Sequence, residues 1–205
     1  MSNNAIRILY NELNRREGVR CERVFAPAPD FEALLESKGL PLYTLEGGHP
    51  LSSVDLLGFS VGYELAATSM LAILKSGHIP LRAEDRGEED PIVIGGGPAI
   101  SNPHPFAFFL DAAFIGEGET AFCDLAADLA ALKKAGADRP RLLERLTQCE
   151  SIWIPQRGSK PGHPGRRAIY QGFSEADYHT ANPIATLKIV QDHGTVEIMG
   201  TARME

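Results

Sequence analysis

Three short apolar runs, each ending in glycine or a small polar residue, constrain this chain more than any other feature. They are residues 55–60 (DLLGFS), residues 91–94 (PIVI) leading into Gly95-Gly96-Gly97-Pro98, and residues 111–115 (DAAFI) leading into Gly116-Glu117-Gly118-Glu119. Each is short and shows no polar alternation, as expected of strands buried on both faces. Helical patterns separate them: residues 63–76, closed by Gly77, and the alanine-rich residues 120–136, with Thr120 as a candidate cap. Upstream, Ile6, Leu9, Tyr10 and Leu13 fall at helical spacing within residues 5–16, before Gly18. Residues 22–26 (ERVFA) read as a short strand. Residues 31–38 read as a helix with Asp30 as N-cap and Gly39 as stop. Alternating helices and apolar strands predict an α/β fold, a Rossmann-like or flavodoxin-like parallel sheet flanked by helices.

In open sheets of this kind ligands sit outside the carboxyl ends of the strands. Three such ends are expected side by side on one rim. They carry Ser60, Val61, Gly62 and Tyr63; Gly95, Gly96, Gly97 and Pro98; and Gly116, Glu117, Gly118 and Glu119. Glycine lets a backbone approach a flat or phosphate-bearing ligand, yet the same residues make ordinary tight turns. The dinucleotide pattern GxGxxG is absent, and Asn102-Pro103-His104-Pro105 predicts an extended loop. Glu117 suits hydrogen bonding to a ligand's hydroxyl or amide groups. Glu119 suits charge stabilisation of a helix start, worth ~0.3–1 kcal/mol. Among six histidines, His104 lies nearest the glycine turn, whereas His49, His78, His163 and His179 read as solvated. Residues 84–90, rich in acid, read as a solvated loop that Asp85 could order through Arg82 or Arg86. No GxSxG, Walker or HExxH motif occurs, and no cluster has metal-ligand spacing.

Beyond Gly136 the character changes. Residues 139–149 read as a short helix and 151–156 as a strand. Residues 157–166 read as a basic Gly/Pro loop, and strand-like pieces lie within 167–173 and 185–199. The expected division is a Rossmann-like domain over residues 1–137 and a small β-containing extension over 138–205. With 27 acidic against 20 basic residues, the net charge of −7 argues against a polyanionic nucleic-acid partner. No run approaches the ~20 apolar residues of a membrane span, and the polar start is no signal peptide. Cys21, Cys123 and Cys149 lie too far apart for a disulfide framework. The cytoplasm is the expected location.

Read in order, ERVFAPAPDFEALLESKGLPLYTLE, LLGFSVGYEL, GHIPLRAEDR, IVIGGGPAISNPHP and FIGEGE resemble the N-terminal half of the large B12-binding-type radical S-adenosylmethionine (SAM) proteins. The resemblance implies a cobalamin-binding-type domain with a corrinoid lying across the strand ends named above. LKIVQDHGTVEIM is similar to the stretch that in the family leads into CxxxCxxC, whose thiolates hold a [4Fe–4S] cluster and leave one iron for SAM. That motif does not follow here, so neither a cluster nor a SAM site is expected in this chain. A radical SAM domain in cis or trans is the partner the resemblance implies.

The resemblance also implies a further strand ahead of residues 1–10, central in the sheet, together with a truncated chain. Without it the sheet would keep a slot that strands close, another strand fills or self-association covers, because unpaired backbone groups are costly. The DxHxxG element of other cobalamin-binding domains is also absent. Two other readings stay open. One is a decayed scaffold with no ligand. The other is a small-molecule enzyme using Glu117 and His104, which needs an acid/base pair within reach.

Overall fold

Burial of the three apolar runs sets the architecture. The computed structural model describes residues 4–155 and two short strands beyond them. Leu56–Ser60 (β1), Ile92–Gly96 (β2) and Ala112–Phe114 (β3) lie parallel, and Ile152–Trp153 (β4) adds antiparallel to β3, in the order β1-β2-β3-β4. Helices flank this sheet: Asn4–Leu13 (α1), Pro29–Lys38 (α2), Ala66–Ser76 (α3), Ala121–Lys134 (α4) and Arg139–Thr147 (α5). The fold is α/β with a mostly parallel mixed sheet, consistent with a Rossmann-like architecture.

Strand side chains alternate between two apolar layers, as a pleated backbone requires. Leu57, Val93 and Ala113 face Leu35 of α2 and Met70, Ile73 and Leu74 of α3. Ile92, Ile94, Ala112 and Phe114 face Leu125 and Leu129 of α4 and Leu142 and Leu146 of α5. Leu13 of α1 packs separately with Cys123 and Ala126. The boundary expected at residue 137 falls between α4 and α5, and both helices pack on the same layer of the sheet.

β2 is buried on both faces, as its sequence predicts. β1 is not: Leu57 is buried, but Gly58 and Ser60 are exposed. Among the described residues β1 pairs only with β2, at one end of the strand order, and the strand expected at residues 22–26 does not form. Arg23 O accepts from Leu45 N (2.8 Å), Arg23 N donates to a Glu46 carboxylate oxygen (2.7 Å), and the Thr44 hydroxyl donates to Glu22 (2.5 Å). At Arg23 loop partners have taken both backbone groups that a sheet ladder would need.

Local corrections follow the same logic. α2 starts at Pro29, with Ala28 rather than Asp30 at the N-cap, since proline's fixed φ suits the first helical position. Gly39 closes it in the left-handed region at φ 62°. α3 begins at Ala66, three residues later than its apolar pattern suggests, and the Thr120 side chain makes no cap hydrogen bond. Residues 98–106 coil into two short 3-10 turns, Pro98–Ser101 and His104–Phe106, instead of an extended loop. Burial of Ile100, Phe106 and Leu110 outweighs the local preference before proline.

The acidic loop is the largest departure. Arg86 is wholly buried there and donates through Nη1 to Asp111 Oδ2 (2.9 Å) and through Nη2 to Phe109 O (2.7 Å) and Leu81 O (3.1 Å). Asp111 also accepts from Val93 N (2.8 Å). Arg139 Nη2 stands 2.8 Å from Asp111 Oδ1, so the charges touch although the N–H is not aligned for a hydrogen bond. The expected loop at 157–166 and the strand-like piece at 167–173 lie outside the described residues. Thr186–Lys188 (β5) and Glu197–Met199 (β6) form an antiparallel pair within the expected 185–199 region.

Candidate functional site

The parallel register brings the three strand ends together. Ser60 pairs with Gly96, and Gly95 pairs with Ala113 two residues before Ile115 leads into Gly116. Residues 60–63, 95–98 and 116–119 therefore do share the carboxyl rim of the sheet.

On that rim the residues divide by direction. Val61 is buried and both its backbone groups are used: its N–H donates to Gly96 O (2.7 Å), and its carbonyl accepts from Ala99 N (3.1 Å). Gly97 has φ +101°, and a Cβ there would lie 2.8 Å from Val61 O. Its lack of a side chain lets the two turns touch. Gly95 is buried, and a Cβ would meet Leu110 Cδ1 at 2.7 Å and Ile100 Cδ1 at 3.0 Å. These glycines are explained by packing beneath the rim.

Ser60, Gly62, Tyr63, Gly97, Pro98, Gly116, Glu117 and Glu119 are exposed, while Gly96 and Gly118 are half-buried. A Cβ on Gly62 would meet nothing within 4 Å, and Tyr63 is 62 % exposed. Gly118 lies against α1, where its Cβ would come within 3.2 Å of Leu9 Cδ2. The result is an open shelf of small residues with one tyrosine ring and two carboxylates. His104 is exposed and packs edge-on against the Trp153 ring of β4, centroids 5.4 Å apart. Among the described residues no hydrogen bond or ion pair joins it to Glu117 or Glu119.

A cluster that local sequence patterns do not show lies at the opposite end of the sheet. α3 starts at the rim and ends where Leu42 N donates to Ser76 O (2.6 Å), so residues 42–51 sit at the far end. There Glu22 receives the Thr44 hydroxyl, and His49 Nδ1 stands 3.0 Å from it and Arg20 Nη2 2.5 Å. The Thr44 and His49 hydrogen bonds hold the Glu22 carboxyl down at about 2. Gly47 makes the fold-back possible, because a Cβ would lie 2.2 Å from the His49 ring. Partners 22 and 27 residues apart leave no local signal. A polar cleft of about 360 Å³, lined by Ser53, Asp55, Glu88, Asp90, Lys133 and Arg139 among others, also opens at the strands' amino ends, away from the rim.

Cys21 and Cys123 belong to one apolar cluster and Cys149 to another. Burial pushes the Cys21 thiol up to about 11, with Glu46 reinforcing it. That disfavours the thiolate form that metal ligation uses. Among the described residues no group of three His, Cys, Asp or Glu side chains is arranged to hold a metal ion. None of the described helices is long and apolar enough to cross a membrane.

No curated protein and no solved structure matches the chain. The family model described as radical SAM proteins, N-terminal, matches residues 5–155, nearly all of the continuous described portion. That match spans the four-stranded sheet, its five helices and the whole rim, so this chain belongs to the radical SAM proteins through their N-terminal domain.

Proposed function

We propose that this chain is the corrinoid-binding part of a radical SAM protein, with the shelf at residues 60–63, 95–98 and 116–119 as the seat. The observation that carries this reading is the convergence of three adjacent strand ends on one exposed surface of small residues. Gly62 and Gly116 would let a flat ring approach the backbone, and Tyr63 offers an aromatic face. The Ser60 hydroxyl and the Glu117 carboxylate are exposed for hydrogen bonds to the amide groups at a corrinoid's periphery. When bound, the corrinoid supplies cobalt-centred group-transfer or radical chemistry that amino-acid side chains lack. The sequence contains no CxxxCxxC, so SAM cleavage would come from a radical SAM domain in cis or trans.

A ligand-free scaffold is the second reading, favoured by Gly95 and Gly97, whose missing side chains are accounted for by internal packing. Thermal melts with and without hydroxocobalamin separate the two. At a hundred times Kd, selective binding to the folded state adds ~2.7 kcal/mol. For a chain of this size that raises the midpoint by ~5–10 °C. A cooperative melt that does not move at millimolar ligand refutes corrinoid binding and leaves the scaffold.

A further inference from the structure

The far end of the sheet holds a histidine whose backbone, ring and tautomer are all fixed. His49 N donates to Thr44 Oγ1 (3.0 Å), and His49 O accepts from Thr44 N (2.9 Å), so one residue holds both backbone groups. Its ring Nδ1 stands 3.0 Å from Glu22 Oε2. An ionised carboxylate only accepts, so Nδ1 carries the hydrogen and Nε2 keeps its lone pair. The Glu22 side chain is 9 % exposed and the His49 side chain 47 %, so a buried carboxylate backs a ring that opens to solvent. Among the described residues no hydrogen bond is made by His49 Nε2.

A carboxylate on one ring nitrogen stabilises the positive charge that develops when the other nitrogen bonds to an electrophile. The class of electrophile follows from Arg20. Its Nη2 lies 2.5 Å from Glu22 Oε1, on the other oxygen of the same carboxylate, and its side chain is 68 % exposed. Guanidinium N–H groups not turned to Glu22 therefore face solvent, in a fork whose geometry matches phosphate. The acid closest in sequence, Glu46, is held by Arg23 through Nε (2.6 Å) and N (2.7 Å). His78 and His104 are also exposed, but among the described residues no carboxylate is hydrogen-bonded to either ring.

We propose that His49 is a phosphoryl-accepting site, with Nε2 as the nucleophile, Glu22 as the residue that positions it and Arg20 as the cation that favours an anionic donor. The Nε2 lone pair forms the N–P bond while the P–O bond to the leaving group breaks, and that electron pair departs with the leaving group. The ring keeps its Nδ1 hydrogen, and its new positive charge faces Glu22. The donor is an acyl phosphate or phosphoramidate. The site is independent of the rim.

The test incubates the full chain with acetyl phosphate and maps the modified residues by mass spectrometry at neutral to alkaline pH, with phosphorus NMR to identify the ring nitrogen. His49 should be modified at Nε2 and ~10–100-fold faster than His104 in the same chain, the usual worth of a carboxylate partner behind a functional histidine. Glu22→Gln should remove that advantage. Arg20→Gln should slow phosphorylation but leave acylation of His49 by diethyl pyrocarbonate, a neutral electrophile, unchanged. Far-ultraviolet circular dichroism checks the fold, and if Glu22→Gln does not fold, the wild-type ratio of His49 to His104 decides alone. Modification of His49 no faster than that of His104, or at Nδ1, overturns the proposal. So does a folded Glu22→Gln chain that keeps the wild-type rate, or an Arg20→Gln chain in which the two reactions change alike.

Discussion

Replacing Asp111 by asparagine tests how the sheet is joined to the loop that precedes β2. The wild-type carboxylate is 1 % exposed and faces two guanidiniums, those of Arg86 (0 %) and Arg139 (8 %). Arg86 also donates to the carbonyls of Pro80, Leu81 and Phe109, and Arg139 to the carbonyl of Asp90. The Asp111→Asn side chain would keep the shape and could still accept from Val93 N, but the two buried guanidiniums would lose the anion between them. Removing one partner from a buried ion pair costs ~3–5 kcal/mol, because the remaining charge stays desolvated. At ~2–4 °C per kcal/mol for a chain of this size, the melting midpoint should fall by ~6–20 °C. Urea unfolding followed by circular dichroism gives the free energy directly. Arg145→Ala is the control, since its pair with Asp128 lies on the surface and is worth no more than ~1 kcal/mol. If Asp111→Asn destabilises no more than Arg145→Ala, the buried network does not hold the loop and the argument fails.

Two further outcomes follow from other contacts. Gly97→Ala should cost ~1–3 kcal/mol by urea melt, since its φ is +101° and its Cβ would press on Val61 O, whereas Gly62→Ala, with open space around it, should be close to neutral; equal costs would contradict the packing account of Gly97. Glu22 titrates near 2 in the folded chain against 4.5 ordinarily, so its contribution is fully present above about 4.5 and disappears as pH falls towards 2. Glu22→Gln should therefore flatten the stability-against-pH curve across that window, and a variant that keeps the wild-type slope would show that Glu22 does not contribute to it.

Much of the sheet was legible because its signals are local. Residues 91–94 are apolar without alternation, and such a run is buried on both faces wherever it lies in an α/β sheet. Gly39 and Gly77 ended their helices for reasons contained within one turn. The convergence of the three glycine-bearing strand ends was likewise expected, since parallel strands in one sheet place their carboxyl ends on one rim. The internal roles of Gly95 and Gly97 were not visible, because Leu110, Ile100 and Val61 approach them only in the folded chain.

The exposure of Gly58 and Ser60 on β1 and the burial of Arg86 show where local reasoning stops. DLLGFS reads as a strand covered on both faces, yet Gly58 and Ser60 are exposed, and the strand expected at residues 22–26 does not form. Arg23 gives its backbone groups and Glu22 its carboxylate to residues 44–49 instead, a choice between distant partners that no local pattern records. Arg86 stands in an acidic stretch whose composition resembles a solvated loop, yet it meets Asp111 across 25 residues. Sequence by itself determined the α/β class, the buried strand β2 and the rim, because apolar periodicity and glycine act over a few residues. Tertiary structure alone decided where Glu22 and Arg23 find their partners and which charges are buried, because hydrogen-bond and ion-pair partners are chosen by distance in space.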